Sequence, residues 1–451
     1  MDMNLKLSDV AAMLGIPFAG TDAPVRRVST DSRAIRPGDL FVALRGEKFD
    51  GGAFATQALK QGAAGVVLDR GQASEIGDAL RVDDTRLALG RLAAAWRQRF
   101  DVPLVAITGS NGKTTVKEML AAILRAEAGD EAAVLATEGN LNNDIGVPLM
   151  LLRLRPLHRY GVFEMGMNHV GEIDYLTRLV KPEVALVNNA MRAHVGLLGS
   201  VEAIAHAKGE IFNGLGTGGI AVFNADDPYA GIWRAANAQR SVVDFGMAQP
   251  ARVRGHFDAA SAVLTIDLPG AHLDVVLRVP GVHNAMNALA AAAAAFALDV
   301  SPNSIVAGLS GFAGVKGRLQ WKAALHGSVF LDDTYNANPD SVSAALDVLA
   351  QQSGRKLLVL GDMGELGADA PALHAEIGRA ARAAGVDRLF ALGDLSRESV
   401  AAFGSGAMFF ERIEELLAEL ENDLAPDVTA LVKGSRFMQM ERVVKSFTEG
   451  H

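Results

Sequence analysis

The residues of this chain best suited to chemistry form the run Ile107-Thr108-Gly109-Ser110-Asn111-Gly112-Lys113-Thr114-Thr115, directly after the apolar segment Val102 to Ala106. A glycine turn, a lysine and a hydroxyl lead into a helical pattern, Val116 to Arg125. Together they make a phosphate cradle, in which backbone N–H groups and a helix N-terminus face the anion. Lys113 would neutralise phosphate charge and the Thr114 hydroxyl would complete a Mg²⁺ shell. The common pattern wants a glycine five positions before Gly112, where Ile107 stands. An ordinary glycine turn is the plainer reading, but Gly-Lys-Thr-Thr at that turn is hard to explain without a nucleotide.

Other groups could join it. Glu164 ends the apolar run Val162-Phe163-Glu164-Met165, where a carboxylate suits either a metal or the capping of the next turn. His194 lies just past another such run and could ligate metal, exchange a proton or simply be solvated. Lys208, in the helical pattern Val201 to Phe212, reads locally as a surface lysine. Asn140, Asn142 and Asn143 could bond a polar substrate or form a polar turn. Asn284 and Asn287 share a helix face and could bond an adenine edge, or Asn284 could cap the helix. Asp333, Asn336 and Asn338 follow a strand pattern and precede Pro339, suiting ribose, a second substrate or a plain helix entry.

The elements that must position these groups fall into three stretches. Residues 1–84 read as a small α/β unit that includes the strand Leu40 to Leu44 and a helix from Ala53 to Gln61. Residues 85–314 begin with a linking helix, Thr85 to Phe100, and continue as alternating buried strands and helices around the phosphate loop. Between Ser241 and Pro280 shorter alternating strands predict an antiparallel edge or subsheet, followed by helices His283 to Leu298 and Ser301 to Leu309. Gly311 to Gly317 reads as a hinge, and residues 315–451 repeat βα units as a doubly wound, Rossmann-like domain. The fold class is therefore α/β in three domains, with a mostly parallel central sheet.

Composition narrows the function. The 451 residues carry Lys+Arg 43 against Asp+Glu 52, a net charge of −9, which argues against nonspecific nucleic-acid binding and a basic membrane surface. Cysteine is absent, so disulfides, thiolate metal sites and a Cys nucleophile are excluded. The N-terminus lacks a secretory pattern, and the longest apolar run, Ala288 to Leu298, falls short of the roughly 20 residues a spanning helix needs. A soluble, cytoplasmic protein is expected.

Taken together these segments resemble the Mur ligase family, the ATP-dependent amide-bond-forming enzymes of peptidoglycan synthesis, along essentially the whole chain. The similarity includes the shortened loop Thr108 to Thr115, Glu164-Met165-Gly166, Ala207-Lys208-Gly209-Glu210-Ile211, Gly281-Val282-His283-Asn284 with Asn287, and Gly317-Arg318. Thr137 to Pro148, Asp333 to Pro339 and Lys433-Gly434-Ser435-Arg436 are most similar to the members that join D-alanyl-D-alanine to a UDP-muramoyl-tripeptide. No Asp-Asn-Pro-Arg tetrapeptide occurs, which weighs against the sibling that adds the third amino acid. The segment Ser29 to Leu44 is similar to a UDP-binding domain and argues against a folylpolyglutamate-type ligase. A nucleotide-hydrolysing switch is disfavoured because no Asn-Lys-x-Asp motif is present.

The resemblance implies specific roles. Lys113, Lys208, His194 and Arg318 would be catalytic, with Gly109 to Thr115, Asn284, Asn287, Arg318 and Asp333 around ATP. Thr114, Glu164, His194 and Lys208 would form a Mg²⁺ shell, Lys208 as a CO₂-derived carbamate. A lysine must be neutral to take up CO₂, and burial favours that state. Ser32 and Arg33 would face uridine or diphosphate; Asn140, Asn142, Asn143, Asn336 and Asn338 would face the other substrates. A monomer whose third domain closes over the substrates is implied as well. The lead-in to the histidine, Met191-Arg192-Ala193, fits the family pattern only loosely.

Overall fold

The computed structural model of the chain describes residues 2–46, 49–72 and 76–448; Met1 of the N-terminal run lies outside them. The first unit is a four-stranded parallel sheet in the order Arg27–Ser29, Asp39–Val42, Gly65–Asp69, Leu80–Val82. Helix Leu7–Leu14 covers one face, ending on Gly15 in the left-handed conformation. Helix Thr85–Arg97 then leads out, capped by Asp84, whose carboxylate accepts from Arg86 N and Leu87 N. The apolar cluster of this unit is continuous with one face of the central sheet: Leu7, Leu40 and Leu89 belong to the same core as Leu104, Ala106 and Phe163.

The central sheet has nine strands: Val134–Ala136, Tyr160–Glu164, Leu104–Thr108, Val184–Val187, Ile220–Asn224, Ser241–Gly246, Val253–Asp258, Val263–Leu268 and Ala271–Val276. The antiparallel edge is narrower than the alternation predicts. Ser241–Gly246 and Val253–Asp258 still pair in parallel; only the last two pairings are antiparallel, and Val263–Leu268 is the one strand that runs against the others. On the other face lie helices Lys113–Ala128, Val282–Ala297 and Pro302–Gly311. They approach closely because small residues meet: Ala288 to Ala295 are fully buried, and a Cβ on Gly308 would sit 2.4 Å from Ile123 Cα.

Backbone conformation differs along the Gly311 to Gly317 segment. Gly311 still closes its helix, while Gly314 (φ 99°) and Gly317 (φ 71°) take the left-handed backbone that glycine permits. The third domain is a six-stranded sheet, Gln320–Ala323, Val329–Asp333, Val428–Lys433, Arg355–Gly361, Arg388–Leu392, Ala407–Phe410, parallel except for the first strand. Separate apolar clusters cover its two faces, as a doubly wound sheet requires. Among the described residues no helix is long and apolar enough to cross a membrane.

Candidate active site

Parallel register decides which strand ends meet. Glu164 lies opposite Ile107, and Val187 opposite Thr108, so the phosphate loop, Glu164 and the residues after Val187 leave the sheet side by side. Ile107 itself is fully buried strand. The departure from the common glycine pattern thus has a simple form: the strand runs further and the loop is shorter. Thr108 donates its hydroxyl to Met165 O at 2.9 Å, fastening the two strand ends.

The loop is braced from beneath by carboxamides. Asn189 Oδ1 accepts from Asn111 N at 2.9 Å, and Asn188 Nδ2 donates to Asn111 O at 3.0 Å and to Asn287 Oδ1 at 2.9 Å. Gly112 is left-handed (φ 80°), and a Cβ there would fall 2.2 Å from Asn287 Oδ1 and 2.6 Å from Asn188 Nδ2. Only glycine fits. Asn284 does not cap the helix by its side chain; its Nδ2 holds Pro280 O at 2.7 Å, and its Oδ1 accepts from Asn287 at 3.3 Å. Asn284 and Asn287 do share a face; Asn287 joins the loop support through Asn188, and Asn284 bonds Asn287 and the Pro280 carbonyl.

Lys113 folds over the loop, donating to Gly109 O at 2.6 Å and Ser110 O at 3.2 Å. Desolvation pushes its ammonium below the ordinary lysine value, with Glu164 opposing and Arg318 adding to the fall. Thr114 donates to Glu164 Oε2 at 2.8 Å and accepts from Arg318 at 2.9 Å, while Asn142 Nδ2 donates to Glu164 Oε1 at 2.8 Å. Arg318 also stacks 4.3 Å over the Tyr335 ring. A hydroxyl and a buried carboxylate beside a phosphate loop are hard oxygen donors, the set that Mg²⁺ prefers.

The other proposed metal ligands are placed differently. His194 Nδ1 lies 2.6 Å from Glu365 Oε2, a partner from the third domain. Lys208 is 2 % exposed, and its side chain makes no hydrogen bond or ion pair among the described residues. Burial, and then the charge of Lys113, drive its pKa well below the lysine value. Among the described residues no group of three or more histidine or acidic side chains forms a ready cation cage.

One cavity of about 1540 Å³ gathers the rest, larger than the roughly 300–1,000 Å³ of a single small-ligand site. Its walls include Ser110 to Lys113, Thr115, Asn140, Asn142, Asn143, Glu164, His194, Asn284, Asn287, Arg318, Asp333, Asn336 and Asn338. Gly109, Thr114 and Lys208 are not among its lining residues, though Thr114 bonds Glu164 and Arg318, which are. Ser32 and Arg33 are not in it, and Arg33 is an exposed partner of Asp31. Asn338 caps the helix Pro339–Ala350 and also bonds Asn111 at 2.7 Å, whereas Asn143 caps the turn at Gly146. Asp333 pairs with the buried Lys433, its neighbour in parallel register.

Sequence reasoning missed Asn188, Asn189, Arg192 and Glu365. The two asparagines carried the same signal as Glu164, a polar group at the end of an apolar run. Arg192 carried none.

These domains match known families in order. Residues 24–97 match the family model described as Mur ligase family, catalytic domain; 107–295 match the Mur ligase middle domain; 317–436 match the Mur ligase, glutamate ligase domain. The chain belongs to the Mur ligase family. Within it, the chain is 43 % identical over 460 residues to the UDP-N-acetylmuramoyl-tripeptide–D-alanyl-D-alanine ligase of Escherichia coli, covering 99 % of both. The Acinetobacter baumannii MurF crystal structure is similar at a TM-score of 0.90, with 35 % identity and 99 % coverage of each chain. The Thermotoga maritima MurF ligase in complex with ADP is similar at 0.83, with 26 % identity, covering 93 % of this chain and 96 % of that one. Residues of the middle and the C-terminal Mur ligase matches thus line one cavity, in a chain of the ATP-dependent amide-bond-forming ligases.

Proposed function

We propose that this chain joins D-alanyl-D-alanine to UDP-N-acetylmuramoyl-tripeptide at the expense of ATP, giving UDP-N-acetylmuramoyl-pentapeptide, ADP and phosphate. The observation that carries the reading is the single cavity shared by the phosphate loop, the Thr114–Glu164–Arg318 group and the third-domain wall, in a chain that matches such a ligase over 99 % of its length.

The terminal carboxylate of the tripeptide attacks the γ-phosphorus of ATP, and ADP leaves. Positioning and charge neutralisation govern this step, so Lys113 and Arg318 act by facing the developing charge. Thr114 and Glu164 would hold Mg²⁺, which would supply charge screening for the phosphates, and His194 borders the same cavity. Lys208 takes up CO₂ through its neutral amine, and the resulting carbamate extends the oxygen-donor set. The dipeptide amine then attacks the acyl-phosphate carbonyl, loses a proton, and phosphate leaves as the amide forms.

Asn284, Asn287 and Asp333 face adenosine, Asn140, Asn142 and Asn143 the tripeptide, and Asn336 and Asn338 the dipeptide, with Ser32 and Arg33 toward the uridine diphosphate. In this reading the chain works as a monomer in the cytoplasm, the compartment in which ATP and a nucleotide-linked precursor are both available. The test measures phosphate release from ATP with UDP-muramoyl-tripeptide, with and without D-Ala-D-Ala. Release coupled one-to-one to amide formation and requiring both substrates is expected. Turnover with neither, or with glutamate and a folate instead, would overturn the reading.

A further inference from the structure

Arg192 takes no part in the chemistry above, yet it ties the central domain to two helices of the third. Its backbone N donates to Asp340 Oδ2 at 2.8 Å, and its guanidinium meets Asp340 Oδ1 at 2.7 and 2.9 Å. The other guanidinium arm donates to both Glu376 oxygens at 3.0 Å. Asp340 opens the helix Pro339–Ala350 and Glu376 belongs to Ala370–Ala383. An exposed ion pair fixes little. Here a planar fork is shared by two carboxylates on different helices and backed by a main-chain bond, which fixes orientation as well as charge.

The strip that carries Arg192 has two kinds of neighbour. On its upstream side it is sewn to the phosphate loop: Ser110 N donates to Asn189 O, and Ser110 Oγ accepts from Met191 N. Downstream it is sewn to the third domain. His194 meets Glu365, Gly196 N donates to Glu365 O at 3.1 Å, and a Cβ on Gly196 would lie 2.4 Å from Gly367 N. The backbones touch there. Asn338, two residues before Asp340, returns to the loop by bonding Asn111.

We propose that Arg192 is a positioning residue that makes docking of the third domain and the setting of the phosphate loop a single event, so that amine reaches acyl phosphate only in the docked enzyme. The inference rests on the ligase reading. An undocked domain leaves the acyl phosphate open to water, whose attack on the carbonyl returns the tripeptide carboxylate and releases phosphate without an amide bond.

The test uses the full-length enzyme with Arg192→Met. Phosphate released per amide formed should rise clearly above one, and kcat/KM for D-Ala-D-Ala should fall about tenfold or more. The KM for ATP should stay within about threefold, because the loop keeps its bonds to Asn188 and Asn189 and loses only its setting against the third domain through Asn338. Small-angle scattering with an ATP analogue and both substrates should show a compact wild type and an expanded variant. Arg192→Lys should fall between them, and Glu376→Gln should add little in the Arg192→Met background. An Arg192→Met enzyme with wild-type stoichiometry and compaction overturns the proposal. So does one whose melting temperature and rates fall together at a constant phosphate-to-amide ratio. If wild type forms no amide, the ligase reading fails, and the scattering comparison alone still decides the docking role.

Discussion

Replacing Lys208 by methionine separates the fold's demands from the site's. The lysine is buried to 2 % exposure, its side chain without a hydrogen bond or ion pair among the described residues, and with Lys113 as a like-charged neighbour. Its folded pKa therefore lies well below 10.5, the value it regains on unfolding. Between those two values the unfolded chain holds a proton that the folded chain lacks, so wild-type stability rises with pH, by up to about 1.4 kcal/mol per unit. The rise is complete above 10.5 and vanishes once pH falls below the folded value. Methionine fills similar space and has nothing to titrate. The stability difference, Met variant minus wild type, should accordingly shrink as pH rises from about 6 to about 10. Denaturant midpoints of both proteins across that range, in CO₂-free buffer at constant ionic strength, measure it. Added bicarbonate should then stabilise wild type and leave the variant unchanged, while the variant loses ligase activity by more than about a hundredfold. A difference that stays flat with pH would refute the neutral amine; an active methionine variant would refute the carbamate.

Three further outcomes follow from local geometry. Gly112→Ala forces a left-handed alanine, about 1–2 kcal/mol per residue, and drives its Cβ into Asn287 and Asn188; ADP affinity by calorimetry should fall more than tenfold or so, and unchanged binding would contradict the bracing role. Asp333→Leu strands the Lys433 ammonium, 2 % exposed, so the third-domain urea transition should lose about 3–5 kcal/mol, while the Asp333→Leu/Lys433→Leu pair should lose much less. Additive losses would mean the two are not coupled. Glu164→Gln keeps a carbonyl for Thr114 but removes the charge; phosphate release should drop by about 10²–10³ and demand more Mg²⁺, and a wild-type Mg²⁺ titration would exclude the carboxylate as a ligand.

How much of this was legible depends on the range of the interactions. The phosphate loop was readable because its cues are consecutive: a strand, a glycine that must be left-handed, a lysine and a hydroxyl at a helix start. Glu164 and the Asn338–Pro339 helix entry were readable for the same reason. The extent of the antiparallel edge was not, because alternating burial along Ser241 to Pro280 does not state strand direction. Lys208 was misread as a surface lysine from its own helix, and only the resemblance corrected it. Burial beside Lys113 is a property of packing between elements far apart in sequence.

The amino-acid sequence by itself determined that this protein is a three-part α/β chain with a shortened phosphate loop, and which residue types stand at the ends of its buried strands. Those facts follow from local periodicity, turn chemistry and the backbone demands of glycine and proline. Tertiary structure alone decided which of those ends meet. Asn111 and Asn338 are separated by 227 residues, Arg318 and Thr114 by 204, and Arg192 and Glu376 by 184. Contacts at such separations leave no periodic trace in the chain, since they arise only when parallel register and domain docking bring the strand ends to one cavity.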